Sequence, residues 1–216
     1  GDAPALDTVV VLKPAWLGDF VKTVVNINPE HADGILRGGV LDHDDLKHLW
    51  RSYPEDHHNA LLELLYRFGI AYPIPPSTAG SAVVRSLVPS LLPDTPPTAM
   101  DAAFPRSPPE AELVVRLQLR YTPQSLWPWV LSSLRAYTEP LTTSRSFTVV
   151  HHDLQRALVQ LDAGARTVAV TVRGDRPLAL RGLVFDVLWN MLTTRFGGTD
   201  AQVFAGCPHC PDKFVE

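Results

Sequence analysis

Residues 40–74 read VLDHDDLKHLWRSYPEDHHNALLELLYRFGIAYPI, and the order of signals within them decides the first half of the fold. The pair Val40-Leu41 is short and apolar. Asp42 follows as a helix cap, and Asp44 and Asp45 fall in the first turn, where negative charge suits the helix dipole. That helix carries Leu46, Leu49 and Trp50. Pro54, with acids behind it, opens a second helix. Leu61, Leu62, Leu64, Leu65 and Phe68 give this helix a wide apolar face, and Gly69 ends it. Ile70–Ile74, a turn-rich PPSTAGS and Ala82–Val88 then read as two short strands joined by a loop.

Upstream, LKPAWLGDFVKTVV (12–25) raises a question. An apolar strand, Thr8–Leu12, stops at Lys13-Pro14 and passes straight into a helix from about Trp16 to Ile27. The apolar positions Trp16, Leu17, Phe20, Val21, Val24 and Val25 have helical spacing. A domain docked onto something before it has a use for such a stiff aromatic entry. Between this helix and Val40 runs the loop NPEHADGILRGG (28–39). Helix, short strand, helix, helix, strand, loop, strand is the order of a winged helix.

Downstream, PSLLPDTPPTAMDAAFPRSPP (89–109) holds many of the chain's 20 prolines and reads as a connector without periodicity. It separates a first part, 1–88, from a second, 111–200, with the connector at 89–110 and a tail at 201–216. ELVVRLQLRY (112–121) alternates as a half-buried strand. A helix covers about Leu126–Tyr137, with Pro128 in its first turn. Strands follow at 145–150, 154–161 and 166–173, the last two joined by the hairpin turn Asp162-Ala163-Gly164-Ala165. An amphipathic helix covers 178–195. The expected fold is α+β: a winged-helix-like part, then a β-α-β-β-β-α part with helices packed on one face of a mainly antiparallel sheet.

Composition bounds the function. The 216 residues are 45% hydrophobic and 19% charged, enough for a real core. No apolar run approaches the ~20 residues that span a membrane. GDAPALD, at the start, lacks the basic and apolar regions of a signal peptide. With two cysteines and no disulfide framework, a cytoplasmic, reducing setting is expected. The net charge is −4: residues 1–103 hold 7 Lys/Arg against 13 Asp/Glu, and residues 104–216 hold 12 against 10. Neither half has the basic footprint of a nucleic-acid binder.

The motif search returns little chemistry. There is no phosphate-cradling P-loop, no Gly-x-Gly-x-x-Gly after a strand and no Gly-x-Ser-x-Gly elbow. The expected DNA-reading helix, Pro54–Gly69, carries Glu55, Asp56 and Glu63 against Arg67 alone, a poor match for phosphates. His151-His152-Asp153 is a candidate metal or acid/base cluster, with His151 and Asp153 on one strand face. CPHC (207–210) offers Cys207 and Cys210 to a zinc ion, but four ligands are needed, and a small buried turn is the preferred reading. Trp127 and Trp129 point to different sides of a helix, so something must cover the second side.

Four stretches, VVVLKPAWLGDFVKTVV, GGVLDHDDLKHLW, HHNALLELLYRFGIAYPIP and RSLVPSLLPD, together with VVRLQLRYTPQSLWPWVLSSL in the second half, resemble the COR domain of Roco proteins over about residues 8–196. COR stands for C-terminal of Roc, and Roc is a Ras-like GTPase domain. The resemblance implies a winged-helix-like COR-A (1–88) and a sheet-and-helix COR-B (111–200). It implies a non-catalytic regulatory and dimerisation domain, not itself an enzyme, with no cofactor of its own and GTP or GDP only on the partner Roc domain. That partner sits in the same longer chain or acts in trans, and a homodimer forms mainly through the second subdomain. Residues 8–17 become the entry from Roc, and Trp16, Phe20, Tyr121 and Trp127 the Roc-facing residues. One departure concerns the middle strands, where relatives carry Trp-Arg-x-Gly and this chain reads Arg145–Val150. The alternatives are a winged-helix DNA-binding regulator and a small metal-dependent hydrolase using His151, His152 and Asp153. Neither nucleic acid nor membrane insertion is expected.

Overall fold

The computed structural model describes residues 14–25, 37–74, 84–94, 99–105, 112–174, 177–197, 201–207 and 210–215. The expected first strand, Thr8–Leu12, and most of the loop before Val40 lie outside them. The chain divides into two compact units, Gly1–Leu91 and Leu92–Glu216.

In the first unit, α1 runs Pro14–Val25. It starts on the proline because the first helical position needs no backbone N–H. Phe20 and Val24, four apart, are fully buried, with Leu17 and Val21 packed beside them. The strand β1 (Val40–Asp42) leads into a 3-10 turn over His43–Asp45 and α2 (Leu46–Leu49). The Asp44 N–H donates to Asp42 Oδ1 at 3.0 Å, so the aspartate caps this start as expected. Helix α3 covers His58–Arg67 and is preceded by a 3-10 turn at Glu55–His57. Leu61, Leu62, Leu64 and Leu65 are buried, but Phe68 is 54% exposed. The helix has ended by then: Gly69 takes φ +66 and the Ile70 N–H turns back to the Leu65 carbonyl at 2.9 Å. The apolar face does not extend past that turn. Strands β2 (Tyr72–Ile74) and β3 (Arg85–Leu87) complete a three-stranded antiparallel sheet in the order β1-β3-β2, with Leu87 paired to both Val40 and Tyr72.

Trp50 holds this unit together. It is fully buried, its ring lies 5.4 Å from Phe20 and 5.6 Å from His58, and its Nε1–H donates to Thr23 Oγ1 at 3.1 Å. A buried indole needs such a partner.

The second unit contains α4 (Ala99–Ala103), β4 (Glu112–Gln118), α5 (Leu126–Leu134), β5 (Thr138–Thr143), β6 (Phe147–His152), β7 (Gln155–Asp162), β8 (Thr167–Arg173), α6 (Pro177–Phe196), β9 (Gln202–Cys207) and β10 (Cys210–Val215). Its sheet has seven strands in the order β10-β9-β4-β8-β7-β6-β5, every neighbouring pair antiparallel. The expected β-α-β-β-β-α core is present, but β5, β9 and β10 extend it. The outermost strands, β5 and β10, contain Pro140 and Pro211. Proline cannot donate to a central ladder and is tolerated at an edge, so these segments lack a strand pattern in sequence yet pair on one side.

Register sorts the two faces. Val115 pairs with Val170, Leu117 with Val168, and Val172 with Ala157; all are buried, on the side where α6 packs over β8, β7 and β4. The opposite side is covered in part by α4: Phe104, Met100 and Ala103 pack on Phe147, Val149 and Leu158. Helices therefore lie on both faces, not one. The stretch read as connector supplies α4 because Met100, Ala103 and Phe104 present a short apolar face.

Trp50→Ala removes the ring on which α1, α2 and α3 converge. The expected loss is about 3–5 kcal/mol of unfolding free energy in urea titration of the 216-residue chain. A loss below about 1 kcal/mol would show that the ring is not the organising contact.

Candidate functional site

Trp16 is an exposed aromatic of the first unit that packs on other rings. Its ring stacks on Phe20 at 5.6 Å and 9°, meets the edge of Tyr53 at 6.3 Å, and remains 37% exposed. One face is fixed by packing and the rest is open, which suits an anchoring side chain. Phe20, also expected to face a partner, is fully buried beneath it and carries no exposed surface. Tyr121 stands just past β4 and is 52% exposed. Trp127 is buried, with its Nε1–H donating to the Ser144 carbonyl at 2.8 Å, and ties α5 to the β5–β6 turn. The second side expected of this helix is met from within the unit: the Arg195 guanidinium of α6 lies 4.0 Å over the Trp129 ring.

The other candidates do not assemble into a catalytic site. His151 and His152 are successive residues of β6 and so point to opposite faces. Asp153 has left the strand, with φ +53 in the turn to β7, and does not share the face of His151 as expected. Among the described residues no group of three His, Cys, Asp or Glu is placed to hold a metal ion. Cys207 and Cys210 pair in backbone register at the turn of the β9–β10 hairpin, and the two residues between them lie outside the described set. On the face of the sheet away from α6, an open recess of about 860 Å³ is lined by Arg116, Gln118, Arg145, Ser146, Gln160 and Asp162, with no histidine, cysteine or lysine among its described lining residues.

One polar constellation was not legible in the sequence. The Tyr66 hydroxyl lies 2.6 Å from Ser86 Oγ, which lies 2.8 Å from His43 Nε2. In the neutral tautomer that carries its proton on Nδ1, the imidazole accepts at Nε2 from the Ser86 hydroxyl, which in turn accepts from Tyr66. The Ser-His pair is the one a nucleophile uses, but Ser86 is fully buried in the central strand and no substrate reaches it. The chain of hydrogen bonds instead fastens α3 and the turn after β1 to β3. Burial holds the His43 pKa below its usual 6.5, partly opposed by the Asp42 and Asp44 carboxylates. Burial likewise raises the Tyr66 pKa, partly opposed by its bond to Ser86. Residues from three elements meet here at separations of 20 and 43 along the chain, so no local pattern marks them.

Folded His43 holds its proton less tightly than an unfolded histidine. Its contribution to stability is complete above pH 6.5 and is lost as the pH falls through the depressed folded value. The melting temperature should therefore drop on acidification from pH 7 to 5.5, and His43→Asn should flatten that drop. An unaltered slope in the variant would assign the effect to other groups.

Known proteins resemble this chain, most directly over its first unit. Residues 1–92 match the family model "C-terminal of Roc, COR-A domain". Over 217 aligned residues, 96% of this chain, the sequence is 25% identical to "Probable serine/threonine-protein kinase pats1" of Dictyostelium discoideum. Over 96 residues, 44% of the chain, it is 34% identical to "Probable serine/threonine-protein kinase qkgA" and 33% identical to "Probable serine/threonine-protein kinase roco11", both from the same organism. The chain spans about 6% of the length of each of these three relatives. The expectation that this is not an enzyme is corrected by their names, all of which are those of kinases. That expectation rested on motifs absent from these 216 residues, which correspond to a small part of the relatives' length and bear on no chemistry the relatives carry outside it.

Proposed function

The chain carries a COR domain of the Roco family, and we propose that it couples a Roc-type GTPase domain to the arrangement of protomers. The match of residues 1–92 to COR-A carries this reading. In it the first unit is winged-helix-like, supported by its helix, strand, helix, helix, strand, strand order and its β1-β3-β2 sheet. It packs against protein rather than DNA, because residues 54–69 hold three acids against one arginine. The second unit is COR-B and contributes to a homodimer. Trp16 and Tyr121 are the Roc-facing aromatics with surface to offer; Phe20 and Trp127 act by holding their neighbours in place. GTP or GDP resides on the partner, and the setting is cytoplasmic.

Coupling requires that the two nucleotide states of the partner contact this chain differently. A Roc domain loaded with GDP or with a non-hydrolysable GTP analogue should bind the 216-residue chain with affinities that differ by about 5-fold or more in calorimetric titration. Trp16→Ala should weaken binding by about tenfold or more. Equal affinities in the two states would end the coupling proposal. Undiminished binding by the variant would remove Trp16 from the contact.

A further inference from the structure

Helix α6 is apolar on two sides. Leu180, Val184, Leu188, Met191 and Leu192 are buried. A second line, Leu178, Gly182, Phe185 and Trp189, advances by four, three and four residues and so runs straight along the helix. Leu178 is 64% and Trp189 38% exposed, and the Phe185 and Trp189 rings stack at 5.7 Å and 13°. This is not the side that meets α5, where Val187, Asn190, Met191 and Thr194 line the groove opposite Trp129 and Ser132. A helix apolar on both sides is normally covered on both.

Gly182 sits in the middle of this outward line. Glycine is a poor choice for a helix interior, and a Cβ built there meets nothing within 4 Å. Among the described residues nothing crowds this position, and Gly182 does not take the positive φ that favours glycine. Its absent side chain lets a second backbone approach closely.

The flanking charges identify that second backbone. Arg181 precedes Gly182 and Asp186 follows Phe185, on opposite flanks of the line and five residues apart. Neither has an ion-pair partner among the described residues. When two parallel helices pack side by side on such a line, residues with this five-residue offset meet across the seam. A second copy of this chain, related by a two-fold axis along α6, sets Arg181 of each helix beside Asp186 of the other, twice. Gly182 then faces Gly182, and each aromatic faces its own copy.

We propose that the outward line of α6 seats α6 of a second copy of this chain in a parallel pair that crosses at Gly182 and is clasped by two Arg181–Asp186 contacts. This rests on the reading of the second unit as dimer-forming, and assigns that role to named residues.

The test is sedimentation of the 216-residue chain, carried to high concentration because so short a seam makes a small, weak interface. Arg181→Asp and Asp186→Arg should each raise the dimer dissociation constant about tenfold. An equimolar mixture of the two variants should associate as the unaltered chain does, since every cross-seam contact is then between opposite charges. Gly182→Glu should abolish association while the circular dichroism spectrum keeps its helix content, glutamate being the better helix former. A dimer indifferent to all three substitutions overturns the proposed surface and leaves the dimer reading standing. A chain that stays monomeric at every concentration overturns both. Weakening by the single variants without recovery in the mixture overturns the parallel pairing.

Discussion

The indole of Trp50 meets two demands at once, and the first unit is arranged around them. Its ring needs apolar neighbours, and Phe20 and His58 supply ring surfaces from α1 and α3. Its N–H needs an acceptor inside the core, and Thr23 provides one. The His58 ring nitrogen in turn lies 3.2 Å from the Trp50 and Tyr53 carbonyls, where α2 gives way to the next turn. Trp16 depends on this chain of contacts. It is held by Phe20, which is held by Trp50, so an exposed aromatic on the surface inherits its position from a buried one.

The second unit solves a different problem. A seven-stranded sheet must cover two faces and end two edges. One face takes α6, with α5 beside it; the other takes α4 over part of its width. Arg173 links the two arrangements: its guanidinium lies 3.9 Å over the Phe104 ring and its Nε–H donates to Glu112 Oε1 at 2.7 Å. Arg156 closes the end of α4 by donating to the Ala103 carbonyl at 2.7 Å. Each edge is a strand containing proline, which limits further strand addition.

Both units place aromatic side chains half in and half out. Trp129 ends under an arginine from its own unit, whereas Trp16, Tyr121 and Trp189 keep open surface. The difference lies in what stands next to each ring. α6 runs beside α5 with Arg195 in reach of Trp129, while the described residues bring no such cover over Trp16 or Trp189. Those are the positions from which contacts with other chains are proposed.

The sequence by itself determined the parts of this protein that follow from local periodicity and caps. The Asp42 cap, the leucine face of α3, the Gly69 stop, the alternating strands β4, β6, β7 and β8 and the Asp162 hairpin are each written within a few residues. The order of those parts carries the COR resemblance. Tertiary structure alone decided the rest. The strands β5, β9 and β10 carry weak patterns and exist because a neighbour offers a ladder. The helix α4 takes shape over a sheet face that lies more than forty residues away in sequence. The Tyr66–Ser86–His43 chain joins three distant elements. Exposure was equally illegible: Phe20 and Phe68 look alike in sequence, yet one is fully buried and the other is more than half open. Hydrophobic patterning says that a side chain prefers to be covered; where the helix stops, and what packs against it, decides whether it is.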